Sequence, residues 1–197
     1  MATRSASIDW ESIARGLLTN SLSGVVKLPD DITLLKEYCF YYCQNVTGVV
    51  ARGVTNIKES AFNYMINLES LELGTITNIG ASAFSNCRKL ETPIVISNSV
   101  TALPQTVFFN CYKIPYIDVG TGVTSIGNQC FRYLTNCQYV IMRPTTPPTL
   151  GILNFVNSTA ATYPIYVPDA SVNTYKAASG WDALASRIFP ISDLVTT

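Results

Sequence analysis

The chain has 197 residues, enough for one sizeable domain, and its 48% hydrophobic and 13% charged content excludes a disordered polymer. Thirteen Lys and Arg balance thirteen Asp and Glu, so the neutral chain carries no electrostatic footprint for nucleic acid or an anionic membrane, and copies of it meet little charge repulsion. Histidine is absent, which excludes His general acid–base catalysis, Ser-His and Cys-His nucleophile pairs, and His metal ligands.

Residues 1–23 place Trp10, Ile13, Ala14, Leu17 and Leu18 at helical spacing, with Asp9 as N-cap, and read as a capping helix or a tether. The same stretch holds Arg4, Asp9, Glu11 and Arg15 and has no apolar run of signal-peptide length. No segment approaches the ~20 apolar residues of a membrane span, so membrane insertion is not expected. The location expected from this is a virion or the cytoplasm, or the cell surface if an export signal has been removed. "GVVKLP" then supplies a first strand through Val26 and Leu28.

Residues 24–147 are repetitive. Phe40, Phe62, Phe84, Phe108 and Phe131 are separated by steps of 22, 22, 24 and 23 residues. Seven residues before each Phe stands a Thr, and eight before it stands Ile or Val. Leu or Ile stands five before. Six after come Val46, Leu68, Leu90, Ile114 and Cys137, and then an alternating apolar pair such as Leu71 and Leu73 or Val140 and Met142. Alternation of this kind makes a half-buried strand. "SAFxxCxxL" puts Phe and the residues three and six later on one side of a helical turn. Each repeat is therefore expected to be one coil of strand, helical turn and strand, which buries its apolar side only by stacking on its neighbours. The third repeat carries Pro93 in a ladder position and is longer; Ile94 and Ile96 are expected to point inward through a bulge.

After residue 143 the pattern decays, and residues 148–197 read as a degenerate last coil and a helical cap. "YPIYVP" reads as the last strand. "DASVNTYKAASGWDALASRI" reads as two short helical pieces broken near Gly180, with Trp181, Leu184 and Ile188 covering the end of the stack.

"VTSIGNQCF", "ITNIGASAFSNCRKL" and "IYVPDASVNTYKAASGW" resemble BspA-like leucine-rich repeats over about residues 24–190. That resemblance implies a β-rich α/β solenoid: a leucine-rich-repeat stack of about five 22–24-residue coils with helical caps at both ends. The family is common in surface antigens, adhesins and gut-phage structural proteins, and it carries no shared catalytic residues to transfer. A short helix such as "DWESIARGLL" leading into the repeats is similar to the start of phage tail or head proteins that carry this module. The resemblance thus implies non-enzymatic recognition or adhesion, with a purely structural virion subunit or a bacterial surface adhesin as alternatives and a carbohydrate-active enzyme disfavoured.

The residues themselves offer little chemistry. Cys39, Cys43, Cys87, Cys111, Cys130 and Cys137 occupy small or aliphatic core columns and read as buried free thiols, although Cys87 and Cys111 fall on adjacent coils where a disulfide is geometrically allowed. Glu69, Glu72, Glu91 and Asp118 lie near the second strands and read as a solvated face. "NVT" and "NST" match the glycosylation acceptor at Asn45 and Asn157, which matters only on an exported chain. Gly80 and Gly127 recur at a turn, where backbone conformation would explain them. No catalytic, cofactor or metal residues are assigned. The candidate binding row is the outward side of the second strands: Arg52, Glu72, Tyr116, Asp118, Tyr139, Ile141 and Arg143. Tyr and Arg are the residue types that anchor interfaces. Its competitor is the helical face with Tyr42, Tyr64, Asn86, Asn110 and Tyr133. The partner expected is a protein or surface glycan, with homo-oligomer or virion assembly as further contacts.

Overall fold

Alternation along the second half of each repeat produces the rungs of one wall. These are β1 (Gly24–Lys27), β3 (Val46–Ala51), β5 (Ser70–Leu73), β7 (Ile94–Ile96), β9 (Tyr116–Val119), β11 (Tyr139–Met142), β13 (Ile165–Val167) and β14 (Ile188–Pro190). The "VTxI" stretches produce a second wall of two-residue strands. These are β2 (Leu34–Leu35), β4 (Asn56–Ile57), β6 (Asn78–Ile79), β8 (Ala102–Leu103), β10 (Ser125–Ile126) and β12 (Thr149–Leu150). Pairing is parallel throughout, coil upon coil. This is a computed structural model and describes residues 22–156 and 163–194. The helix expected at Asp9–Leu18 lies outside the described residues.

The eight rungs make about seven turns, more than the five coils counted from the Phe column. The sixth coil was hidden in "TLGILNF". Its β12 pairs with β10, and Phe155 stacks on Phe131 at 5.2 Å. Another rung, β14, comes from residues expected to be helical, and it pairs with β13 through Ile188 and Ile165.

The third wall corrects the helical turn. "SAFxxC" forms successive tight turns, and no helix occurs in the described repeats. Residues two before and two after each Phe take left-handed backbone conformations: Ser60 and Tyr64 flank Phe62, Ser82 and Asn86 flank Phe84, Thr106 and Asn110 flank Phe108. This alternation sends every second N–H out of the coil. Phe62 N donates to Ala83 O at 2.8 Å and Phe84 N to Val107 O at 3.0 Å, while the N–H groups between them close turns within the coil, as Ser85 N does on Ser82 O. A helix would keep all its hydrogen bonds to itself. The stacked coil instead gains a third intercoil ladder, at a cost of ~1–2 kcal/mol for each non-glycine residue held left-handed.

Two glycines that recur at a turn are there for space. Gly80 and Gly127 have ordinary φ, so conformation is not their reason. A Cβ on Gly127 would stand 2.5 Å from Gln105 N, and one on Gly80 2.4 Å from Glu59 N. The adjoining coil leaves no room for a side chain.

The core is one continuous column. Phe40, Phe62, Phe84, Phe108 and Phe131 are at most 2% exposed and stack with centroids 5.0–6.1 Å apart. All six cysteines are buried free thiols beside it. Cys111 Sγ donates to Phe84 O at 3.0 Å and Cys87 Sγ to Phe62 O at 3.1 Å. Burial pushes Cys39, Cys111 and Cys137 up to about 12 and Cys43 up to about 11.

Among the described residues the rung wall is interrupted once. β5 pairs only with β3, and β7 only with β9; β6 and β8 also belong to separate sheets. Glu91 N still donates to Glu69 O at 3.0 Å, and Thr92 Oγ1 accepts from Leu71 N at 3.1 Å, before the strands part. Pro93 follows, with no N–H to offer a ladder. Ile94 and Ile96 do point inward, at 8% and 3% exposure, but they flank a break between two sheets and not a bulge in one. The turn wall runs on unbroken, with Ser82 N, Phe84 N and Asn86 N donating to the next coil.

The C-terminal cap forms helix α1 (Val172–Ala177), then Gly180 at φ +81°, then a 3₁₀ segment at Asp182–Arg187. Trp181 and Tyr175 are fully buried, and each tethers the cap to the last coils: Trp181 Nε1 donates to Pro148 O at 2.8 Å and Tyr175 Oη to Pro144 O at 2.9 Å. Arg187 clamps Tyr163 O and Phe155 O.

Candidate functional site

Parallel register sets residues of equal phase side by side along the outer face of the rungs. Tyr116 opposes Tyr139, Asp118 opposes Ile141, Ile141 opposes Tyr166, and Tyr166 opposes Phe189. Coils ~4.8 Å apart bring their rings into contact. Tyr116 and Tyr139 stack at 5.1 Å, Tyr139 meets Tyr166 edge-on at 6.0 Å, and Tyr166 meets Phe189 at 6.3 Å. Arg143 caps the stripe on one side, donating to both Asp118 oxygens at 2.6 and 2.7 Å. A smaller depression of about 400 Å³ lies at the far end, among Pro164, Tyr166, Ser186, Arg187, Phe189 and Asp193.

The seven expected residues divide into two groups. Arg52 and Glu72 form a bidentate pair at 2.6 and 3.2 Å, both about half exposed, on the first three coils. Tyr116, Asp118, Tyr139, Ile141 and Arg143 lie on β9, β11 and the residue after β11. Between the groups runs the break at β5 and β7, so the row is not continuous. Ile141 also departs from expectation. It faces outward with Asp118 and Tyr166, yet it is only 6% exposed and stands apart from the core cluster. It is a foundation for the stripe and not a contact residue.

Tyr166 and Phe189 were missed as contact residues. The alternation "IYV" inside "YPIYVP" points Tyr166 outward and could have revealed it; Phe189 had no such signal, since its rung is local to "IFP". On the turn wall, Tyr42 and Tyr64 stack at 4.9 Å, and Tyr38 and Tyr42 remain about half exposed. Asn86 there is buried, accepting from Asn110 Nδ2 at 2.8 Å, so that part of the competing face is spent on the fold.

Three of the four carboxylates near the rungs are engaged by cations. Glu72 takes Arg52, Glu91 takes Lys113 at 2.9 Å, and Asp118 takes Arg143. The Arg52 hydrogen bonds push Glu72 below its ordinary range, the direction opposite to that of a general acid.

The BspA-type leucine-rich repeat model matches residues 11–138 and 55–167 with six copies. The chain belongs to the BspA-type leucine-rich repeat family. Six copies agree with the six short strands of the second wall better than with the five Phe-centred repeats. No curated protein matches the chain. As a BspA-type repeat protein it is a repeat-based interaction module.

Proposed function

We propose that this is a non-enzymatic recognition and adhesion module, displayed on a phage particle, that binds a protein surface through the stripe Tyr116–Tyr139–Tyr166–Phe189 and its Asp118–Arg143 rim. The observation that carries the reading is the stripe itself: aromatic rings lined up on the solvent side of the rungs, beside a bidentate Arg–Asp pair. Aromatic and Arg side chains supply interface anchors. A protein fits better than a surface glycan. Tyr116 and Tyr139 lie face to face at an interplanar angle of 14°, so each covers one face of the other, and Tyr139 also meets Tyr166 edge-on. Sugar stacking needs a free ring face. Display on a phage rests on the resemblance of the N-terminal stretch to the start of phage tail or head proteins.

A structural virion subunit is the second reading. Among the described residues β1 is the edge of its sheet, with Val25 63% exposed, and such an edge favours packing on another subunit. The test is binding of immobilised protein to bacterial surface proteins, to a glycan array and to virion components. Saturable capture of a surface protein, weakened at least ~30-fold by joint Tyr139→Ala and Arg143→Ala with melting shifted by no more than a few degrees, supports recognition. Binding to virion components alone supports the structural reading. Binding unaffected by that pair but lost with Tyr42→Ala and Tyr64→Ala moves the site to the turn wall.

A further inference from the structure

Where the two strand walls part, they leave a cleft of about 930 Å³. Buried Phe84 and Phe108 form its floor, and half-exposed Glu72 and Arg143 stand at its mouth. We propose that this cleft binds one extended peptide segment of a protein partner, inserted as a strand parallel to β5 and β7 and carrying a basic residue between two apolar ones. The proposal does not rest on the aromatic stripe: the cleft takes in none of its rings, though Asp118 and Arg143 of its rim line the cleft as well.

The backbone supplies the first reason. β5 and β7 are each the edge of a sheet on the side facing the cleft, whereas the rungs on either side are paired without interruption, β1-β3-β5 and β7-β9-β11-β13-β14. An edge strand presents N–H and C=O groups that seek a partner, and one added strand between two edges satisfies both. Size supplies the second. A four-residue strand is ~13 Å long, lies ~4.8 Å from each neighbour and spans ~10 Å between its side-chain layers, roughly 600 Å³ in all. The cleft exceeds that.

The third reason is the pattern of the walls. Leu73 and Ile96 lie at the inner level, so an inserted strand sets its inward residues among aliphatics over the two Phe rings. At the outer level its neighbour is Glu72. Arg52 approaches Glu72 from the β3 side, away from the cleft, and the half-exposed carboxylate retains acceptor capacity for a second cation. Asp118, one strand beyond Val95, is already paired with Arg143, so Glu72 alone receives the cation. The chain already carries this pattern in β1 and the residue after it, where Val26 and Leu28 are buried and Lys27 is exposed.

The test uses isotope-labelled protein titrated with the capped peptide Gly-Val-Val-Lys-Leu-Pro, followed by amide chemical shifts and hydrogen exchange. Shifts should saturate below about 1 mM, centre on 71–75 and 94–98, and be accompanied by slowed exchange at Leu73 and Val95, whose N–H groups face the cleft. The same peptide with its lysine replaced by glutamate should bind at least about fivefold more weakly. Thr75→Trp fills the mouth of the cleft from an exposed position, and should weaken binding at least about tenfold while the stripe's own spectrum stays in place. The proposal is overturned by no shift at about 2 mM peptide, by shifts confined to Tyr116, Tyr139, Tyr166 and Phe189, by equal binding of the two peptides, or by undiminished binding to Thr75→Trp.

Discussion

Two aromatic columns run along this molecule. Inside, the Phe rings stack 5.0–6.1 Å apart; outside, the rings from Tyr116 to Phe189 sit 5.1–6.3 Å apart. The same coil spacing creates both. The inner rings are enclosed on all sides, so their removal leaves a cavity. The outer rings touch one another and solvent, so their removal leaves mostly water. A repeat thus builds ladders on either side of its strands without preference. Solvent decides which one holds the fold and which one is free to bind.

The sharpest contrast lies in the thiols of the inner columns. Burial raises their folded pKa values, to about 12 for Cys39 and Cys111. In the unfolded chain a thiol titrates near ~8.5. Above that value the unfolded state loses protons that the native state keeps, so stability is whole below pH ~8.5 and is lost as pH rises toward the folded values. Each thiol removes about 1 kcal/mol in the first pH unit above ~8.5 and up to ~1.4 kcal/mol per unit beyond it, so six such thiols remove roughly 6 kcal/mol in that first unit, comparable with a whole domain's ~5–15. Urea midpoints should collapse between pH ~8.5 and ~10.5, and native protein at neutral pH should resist thiol labelling until it unfolds. A midpoint unchanged across that range would show the thiols to be accessible.

Phe108→Ala should cost ~3–5 kcal/mol, because coils on both sides hold the cavity open. Gly127→Ala should cost ~1–3 kcal/mol through overpacking against the Pro104–Gln105 backbone. A neutral result there would mean that the coils separate easily. Tyr139→Ala is the outer counterpart and should cost about 1 kcal/mol, the worth of its ring contacts. Urea unfolding of these three variants ranks them directly. If Tyr139→Ala proves as costly as Phe108→Ala, the outer column is structural and the recognition reading loses its basis.

Much of the inner column could be read from residue types alone. Phe, Thr and aliphatic residues return at fixed spacing, and each returns because every coil must meet the same neighbour environment. The outer column was half legible: Tyr116, Tyr139 and Arg143 follow from strict alternation. Ile141 does not, since alternation says which way a side chain points and nothing about what lies over it.

Periodicity along the chain was enough to establish a parallel solenoid, its Phe ladder, its small-residue thiol columns and a C-terminal cap broken at Gly180. Each of these depends on which residues recur, and recurrence is a property of the chain itself. The rest depends on hydrogen bonds between coils more than twenty residues apart. Whether "SAFxxC" turns as a helix or as left-handed steps is decided by Ala83 O waiting for Phe62 N one coil away. Whether Pro93 makes a bulge or a break is decided by the absence of an N–H to close the rung, together with a turn wall strong enough to hold the coils while the strand walls part.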